Sequence, residues 1–333
     1  VRCQVSGVGR EGQLNPDTPF TKTQVQDKVQ NQVMLPQNPE PETRMTTISI
    51  LGLGLMGGSL GAALKARGFA GRIQAYARRE TTRNQALELG LADAVFDQAA
   101  DAVRGADVVV CCVPILSIPA LIASCRDGLA PGCVVTDVGS TKLDLAHTAA
   151  DALAGTGARF IGSHPIAGSD QQGIGAGTAD LYEGATVVVT PAEGKTEGLD
   201  VVEQLWTFVG ARVVTMDPAR HDRYLARTSH LPHLVASALA RAVGRGDDPE
   251  QVGAFCGTGF RDTTRVAGGS PDVWLDIVRT NKVEVIRELK AFQREVEDLV
   301  QHLDADDFDA VYAYLERSKA LRDTLAEAPG DTT

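Results

Sequence analysis

The sequence lacks an excess of positive charge, since 32 lysines and arginines face 43 aspartates and glutamates and the net charge is −11. This balance makes nucleic acid and anionic membrane surfaces poor partners. An apolar run of the roughly 20 residues that a membrane-spanning helix needs is also missing. Because apolar residues make up 43% of the 333 residues, we expect a globular protein with room for two domains.

Cysteine is scarce and never occurs as a CxxC pair. The six cysteines are Cys3, Cys111, Cys112, Cys125, Cys133 and Cys256. Two of them lie inside a valine-rich run, where buried thiols are expected and a disulfide framework is not. This pattern predicts a reducing compartment, and we expect a cytoplasmic protein.

Residues 1–44 lack a sustained apolar period and are rich in Gln, Asn and Pro, as in VQDKVQNQVMLPQNPEPETR. This composition predicts disorder. The segment has neither the apolar core of a secretory signal nor the acid-poor composition of an organelle transit peptide. We expect the ordered protein to begin near Met45.

From Thr46 onward, short apolar strands alternate with helical segments. The strand candidates are TISILGLG, RIQAYAR, AVF, DVVVCCVP and CVVTDVGS, and RFIGSHP, ATVVVTP and RVVTM are expected to extend the same sheet. Strands that are apolar on both faces predict a parallel sheet covered by helices on both sides. Residues 45–216 are therefore predicted to form an α/β domain.

Strand patterns stop after Asp217. The helices are predicted over residues 217–245, 247–266, 271–302 and 305–327. The third has an apolar stripe formed by Ile277, Val285, Ile286, Leu289, Phe292, Val296, Leu299 and Val300. So wide a stripe needs a large partner surface, either in its own domain or on a second subunit. We predict an all-α domain over residues 217–327.

Gly52-Leu-Gly54-Leu-Met-Gly57 follows a strand and opens a helix. In this context Gly52 permits a tight turn, Gly54 lets a pyrophosphate approach the backbone, and Gly57 allows close helix–strand packing. The helix N-terminus offers its N–H groups and positive dipole end to the phosphates. A glycine-rich turn without a ligand is the alternative. The motif favours a Rossmann-type dinucleotide-binding domain over residues 45–216.

The end of the second predicted strand bears on the choice between NAD and NADP. An acidic residue there would bind the ribose of NAD, but Ala77 holds that place and Arg78 and Arg79 follow. A guanidinium can pair with a 2′-phosphate, so the sequence leans towards NADP. The alternative, that both arginines are solvated or stack on the adenine, leaves NAD open.

Two further segments lie where strands of the predicted sheet end, which is where open parallel sheets bind ligands. In DVGSTK, Ser140 is a candidate to bond a substrate or orient a base, and Lys142 to attract an anion; a capped turn is the alternative. In GSHP, His164 is the one histidine placed at the carboxyl end of a predicted strand. Its free pKa of about 6.5 suits proton transfer at neutral pH.

The predicted helices carry two more clusters. Ser229 and His233 are four residues apart and share a helix face, His230 points away, and Pro232 should kink or restart the helix. A zinc site is the alternative, but HxxH lacks the spacing and the glutamate of HExxH, so no metal is predicted.

Arg261 and Arg265 are also four residues apart. Two guanidiniums on one helix face suit a dicarboxylate substrate. Surface ion pairing with acidic neighbours is the alternative.

Together these segments resemble the prephenate/arogenate dehydrogenase family of tyrosine biosynthesis. The matching segments, in the family's order, are GLGLMGGSL, DVGSTK, SHPIAGSD, DLYEG, VVVTP, SHLPHLVASAL and GFRDTTRVAGGSPDVW. They span about Ile48 to Leu299. The glycine motif is shared with many dehydrogenases, whereas HPIAG, SHLPH and FRDTTR are more specific.

The resemblance implies a homodimer formed by the helical domain and oxidative decarboxylation of prephenate to 4-hydroxyphenylpyruvate with hydride transfer to NAD(P)+. It makes His164 the catalytic histidine and Ser140 its neighbour. The implied substrate-binding residues are Ser229, His233, Arg261 and Arg265, with Asp170 and Asp262 at the entrance. The candidate cofactor-binding residues are Gly52, Gly54, Leu55, Met56, Gly57, Arg78, Arg79 and Pro114.

Three alternatives stay open. Arogenate is the alternative substrate, although the neutral Gln172 favours prephenate. A β-hydroxyacid dehydrogenase is expected to carry a catalytic lysine on the first interdomain helix, where this chain has Ser229, His230 and His233. A nucleotide-sensing regulator is expected to carry a basic DNA-binding module, which the sequence does not contain.

Overall fold

The computed structural model describes residues 45–168, 173–246 and 248–326. Six parallel strands form a sheet in the order β3-β2-β1-β4-β5-β6. Their bounds are β1 Thr47–Leu51, β2 Arg72–Tyr76, β3 Ala94–Phe96, β4 Val108–Cys111, β5 Val134–Asp137 and β6 Arg159–Phe160. The strand order reverses between β1 and β4, the point where such sheets bind dinucleotides. The predicted Rossmann-type fold is confirmed.

Helices cover both faces of this sheet. Their bounds are α1 Leu55–Ala66, α2 Glu80–Glu88, α3 Ala99–Ala102, α4 Ile118–Cys125, α5 Leu143–Leu153 and α6 Leu199–Phe208. Alternate residues of β4 belong to two different cores: Val108 and Val110 pack in one, and Val109 and Cys111 in the other. Because both faces of the sheet are buried, β4 is apolar at every position and does not alternate with polar residues.

The expectation that later strands extend the same sheet was right for Arg159–Phe160 and wrong for the strands that follow. The six-stranded sheet ends at Phe160, and β7 (Gly162–Ile166), β8 (Thr186–Thr190) and β9 (Arg212–Thr215) form a separate sheet. The β7 strand is antiparallel to β8, which is parallel to β9. At the end of β5, the backbone N–H of Ser163 donates to the side-chain carboxylate of Asp137 at 3.1 Å. The strand β7 therefore leaves the backbone hydrogen bonding of the six-stranded sheet at this point.

The second half of the described chain is helical, as predicted. Its helices are α7 Pro218–Leu225, α8 Leu231–Val243, α9 Pro249–Ala254, α10 Thr258–Thr264, α11 Pro271–Thr280, α12 Lys282–Asp304 and α13 Phe308–Ala326. The helix predicted over 271–302 is in fact two helices separated by Asn281. The Asn281 amide donates to the carbonyl of Asp222 at 2.8 Å, a tertiary bond that holds this residue outside regular helix.

The apolar stripe of α12 is only partly covered within the chain. Val285 is buried, but Ile286, Phe292, Val296 and Val300 are between 37% and 48% exposed. A stripe of this kind is typical of a surface that a second subunit covers.

Two further sequence expectations concern compartment and membrane. The five described cysteines are free thiols, and burial raises the pKa of Cys125 to about 11 and that of Cys133 to about 12. The thiols of Cys125 and Cys133 are therefore poor nucleophiles. Within the described ranges, the helices are too short or too polar to cross a membrane.

Candidate active site

The glycine loop between β1 and α1 has the geometry that a bound pyrophosphate requires. Gly52 has a φ of +107°, and a Cβ on Gly57 would lie 1.9 Å from the carbonyl oxygen of Gly52. Side chains are therefore excluded at both positions by the turn and by helix–strand packing. A Cβ on Gly54 would meet nothing within 4 Å, which leaves open space beside the backbone for a ligand.

The first turn of α1 offers free backbone donors to that space. Its N-cap, Gly54, makes no side-chain cap bond, and the first turn contains no acidic residue. Leu55 and Met56 lie in this turn, and the hydroxyl of Tyr182 donates to the Met56 carbonyl at 2.7 Å. Pro114 is exposed just beyond β4, across the β1–β4 crevice. These residues fit a dinucleotide phosphate.

The end of β2 is cationic. Ala77 is buried, whereas Arg78 and Arg79 are exposed. Arg83, which the sequence analysis did not single out, donates from Nη1 to the carbonyls of Ala77 and Arg78, both at 3.0 Å. Its guanidinium therefore lies at the same strand end as Arg78 and Arg79.

A buried chain of three side chains contains the predicted catalytic histidine. The His164 Nδ1 atom is 2.9 Å from His221 Nε2, and His221 Nδ1 is 2.8 Å from the Asp222 carboxylate. An ionised carboxylate only accepts, so His221 donates to Asp222 through Nδ1 and accepts from His164 through Nε2. His164 must then carry its proton on Nδ1, which leaves the Nε2 lone pair free to act as a base.

The surroundings keep this base uncharged. Burial lowers the pKa of His164 well below its usual range, and the nearby His221 and Lys142 lower it further. Burial also lowers the pKa of His221, although its hydrogen bond to Asp222 opposes that shift. A neutral imidazole is the form that can accept a proton.

The position of His164 differs from the prediction, because it lies in the middle of β7 and not at a strand end. It still lies level with the end of β5, since Ser163 bonds to Asp137. Ser140 follows Asp137 by three residues and is half-buried in the same region. The local geometry therefore brings the Ser140 loop beside the His164 strand.

His221 and Asp222 were not predicted as site residues, because they lie on α7 without a strand end or glycine loop beside them. Asp222 also accepts the backbone N–H groups of Lys142 and Leu143, at 2.8 and 2.9 Å, at the start of α5. A carboxylate at a helix N-terminus is favourably placed. One aspartate therefore joins the histidine pair to the strand-end loop that carries Ser140.

Pro232 restarts the helix as expected. A π-helical turn, Ala226–His230, joins α7 to α8, whose first turn contains Pro232. Such turns are frequent at functional sites. Ser229 lies in this turn and is partly exposed.

His230 and His233 pack around Trp274. The His233 ring stacks on Trp274 with centroids 3.4 Å apart, and the His230 ring lies edge-on at 6.1 Å. Within the described residues, His230 Nε2 and His233 Nδ1 are buried without a hydrogen-bond partner. Burial lowers the pKa of both, to about 4 for His230. Among the described residues, no three His, Cys, Asp or Glu side chains are arranged so that they could hold a metal ion.

The two predicted substrate arginines do not share one α-helix. The α10 helix ends at Thr264, and Arg265 opens a 3₁₀ turn whose Val266 backbone bonds to the His233 ring. Arg261 is exposed on α10 and lines a separate cleft of about 320 Å³. The turn that Arg265 opens therefore contacts His233 through Val266, the Arg265 side chain is exposed, and Arg261 faces another cleft.

Of the remaining predicted residues, Asp262 is exposed on α10. Asp170, Gln172 and residues 1–44 lie outside the described residues.

Comparison with known families agrees with this geometry. The nucleotide-binding domain of prephenate dehydrogenase matches residues 60–215, and its dimerization domain matches residues 217–317. The chain belongs to the prephenate dehydrogenase family. It is therefore an oxidoreductase that depends on a nicotinamide dinucleotide, and it contains the family's dimerization domain.

Two relatives show how much of the chain is shared. Cyclohexadienyl dehydrogenase of Zymomonas mobilis is 32% identical over 278 residues, covering 83% of this chain and 94% of the relative. Prephenate dehydrogenase of Bacillus subtilis is 31% identical, covering 84% of this chain and 76% of the relative.

Solved structures extend the similarity to the fold. Prephenate dehydrogenase from A. aeolicus, in complex with hydroxyphenyl propionate and NAD+, has a TM-score of 0.80 and 30% identity, covering 85% of this chain and 99% of that one. Synechocystis arogenate dehydrogenase has a TM-score of 0.74 and 29% identity, covering 84% and 99%.

Proposed function

We propose that this protein catalyses the oxidative decarboxylation of prephenate to 4-hydroxyphenylpyruvate. The observation that carries the proposal is the His164–His221–Asp222 chain, which leaves the His164 Nε2 lone pair free to accept a proton. Family membership supports the same substrate class, because its relatives include prephenate and cyclohexadienyl dehydrogenases.

His164 is the general base of this proposal. Its Nε2 accepts the proton of the ring hydroxyl while the carbon that bears the hydroxyl loses hydride. Bound nicotinamide supplies the hydride acceptor. The ring carboxylate leaves as carbon dioxide, and its bonding electrons complete the aromatic ring as a phenolate, to which the His164 imidazolium then returns the proton. The imidazolium formed at His164 is stabilised through His221 by the Asp222 carboxylate.

The substrate carboxylates are assigned to the helical side of the site. Arg265 opens the turn that bonds to His233, and the buried Nδ1 of His233 has no hydrogen-bond partner among the described residues. We assign Ser229, His233 and Arg265 to substrate binding, with Ser140 beside the base. Arg261, which lines the separate cleft, is kept in the proposal as a second cation for the substrate.

The cofactor is proposed to be NADP+. Arg78, Arg79 and Arg83 lie at the end of β2, and Ala77 stands where a carboxylate would repel a 2′-phosphate. The preference for NADP+ over NAD+ is tested by measuring kcat/KM with each cofactor. Replacement of Arg79 by Ala should lower the NADP+ value and leave the NAD+ value within about twofold; equal loss with both cofactors would contradict the assignment.

The working form is proposed to be a homodimer in the cytoplasm. The exposed stripe of α12 lies in the dimerization domain, and the free thiols are compatible with a reducing compartment. Light scattering during size exclusion tests the dimer, since Val296→Asp should yield monomer.

The reaction is tested by steady-state kinetics with two substrates and two cofactors. Purified protein is supplied with prephenate or arogenate, each with NAD+ or NADP+, and formation of the reduced cofactor is followed by absorbance. The proposal expects the highest kcat/KM with prephenate. A higher value with arogenate would change the substrate, and no turnover with either would reject the function.

A further inference from the structure

A buried ion pair lies next to the strand that carries the proposed base, His164. Lys142 and Asp137 contact each other through Nζ and Oδ2, and their side chains are 1% and 0% exposed. The same carboxylate accepts the backbone N–H of Gly139 at 2.7 Å and that of Ser163 at 3.1 Å. One aspartate therefore holds both the loop that carries Ser140 and the strand that carries His164.

Lys142 is tied to the helical part of the chain as well. Its backbone N–H donates to Asp222, the residue that bonds to His221. Its neighbour Thr141 contacts Thr280 at the end of α11, with 2.7 Å between the two hydroxyl oxygens. The segment around Lys142 thus joins the end of β5 to β7, α7 and α11.

We propose that Lys142 is a positioning residue of the dehydrogenation. Its ion pair with Asp137 sets the spacing between Ser140 and His164, and its buried positive charge lies near the His164 ring. The inference rests on the proposed function, because it assigns the residue to the support of that reaction's base.

The charges around His164 give this role a measurable signature. The groups are Asp137 at the end of β5, Lys142 at the start of α5, His221 and Asp222 on α7, and His230 in the π-helical turn. A nearby cation disfavours the imidazolium form, and Lys142 lowers the pKa of His164. Removal of that cation should raise the pKa, whereas loss of packing alone has no such directed effect.

The test replaces Lys142 by Met, which keeps the length and removes the charge. We expect kcat to fall about 10-fold or more, because misplaced catalytic groups are costly in rate, while KM for prephenate changes less than about twofold. The acid limb of the kcat/KM profile should move to higher pH. NMR titration of the imidazole signals, with His164 assigned through His164→Gln, should show its midpoint rising by about 1 pH unit.

The matched control is Lys65→Met. Lys65 pairs with Asp93 in the same domain, but both side chains are more than a third exposed. This variant should keep the kcat, the pH profile and the His164 midpoint of the unchanged protein.

A second variant protects the test against misfolding. Where Lys142→Met alone does not fold, the double variant Asp137→Asn, Lys142→Met replaces the ion pair with neutral groups and leaves no buried unpaired charge. The same fall in kcat is expected, with a smaller rise in the His164 midpoint because the Asp137 anion is lost together with the Lys142 cation. A folded variant whose His164 midpoint equals that of the unchanged protein overturns the inference. If the unchanged protein oxidises neither substrate, the proposed function fails, and the NMR midpoint still tests the effect of Lys142.

Discussion

Replacement of His221 by Leu is the sharpest test of the buried chain behind the proposed base. His221 is fully buried and is the one described residue that bonds to Nδ1 of His164. Leucine fills similar space but accepts no hydrogen bond. The variant should therefore leave His164 without the partner that fixes its tautomer and stabilises its charged form.

The expected loss follows from the kind of bond removed. A hydrogen bond to a charged group contributes about 1.5–3 kcal/mol, and each 1.36 kcal/mol corresponds to about 10-fold in rate. We therefore expect kcat to fall about 10- to 150-fold. The bond gains strength only as His164 becomes charged, so KM should change little.

The assay is steady-state reduction of NADP+ at saturating prephenate, with His221→Gln and His147→Gln as comparison variants. The amide oxygen that His221→Gln introduces can accept from His164, so that variant should retain more activity than His221→Leu. His147 is exposed on α5 and should tolerate the change. A Leu variant with unchanged kcat, or with a raised KM alone, would refute the reasoning.

Three further predictions follow from the same geometry. His164→Asn should lose most of kcat yet bind NADP+ with an unchanged Kd, measured by calorimetry; undiminished turnover would remove His164 from catalysis. Because burial lowers the pKa of His164 and only the neutral ring accepts a proton, activity should be retained as the pH falls through about 6.5 and be lost only below it. A pH–activity profile whose acid limb lies above that pH would contradict this. A Cβ on Gly269 would lie 2.7 Å from Trp274 Nε1 and 3.2 Å from His233 Cε1. Gly269→Ala should therefore raise KM for prephenate at least about threefold. A Cβ on Gly268 would meet nothing within 4 Å, so Gly268→Ala should leave KM unchanged.

The glycine loop and its helix could be predicted from sequence because their requirements are local. The turn at Gly52 and the contact of Gly57 with the preceding strand depend on a few adjacent residues. The break between the two sheets was not predictable in this way. It depends on Ser163 bonding to the side chain of Asp137, which is 26 residues away.

His221 and Asp222, which support the proposed base, were not predicted because their role also depends on residues far away in the sequence. His221 and Asp222 sit on an ordinary helix, and their role is visible only when β7 and α5 are packed against it. Asn281 interrupts a strongly helical pattern because of its bond to Asp222, 59 residues away. A histidine–aspartate pair on the helix just before the segment with two histidines is the local signal that could have raised this possibility.

The central claim is tested most directly by a crystal structure of the protein with NADP+ and hydroxyphenyl propionate. We expect Nε2 of His164 to lie within about 3.2 Å of the ring hydroxyl oxygen, with Nδ1 still bonded to His221 and the nicotinamide on the opposite side of the ring. A complex in which Nε2 faces away from the hydroxyl, with another side chain bonded to that oxygen, would contradict it.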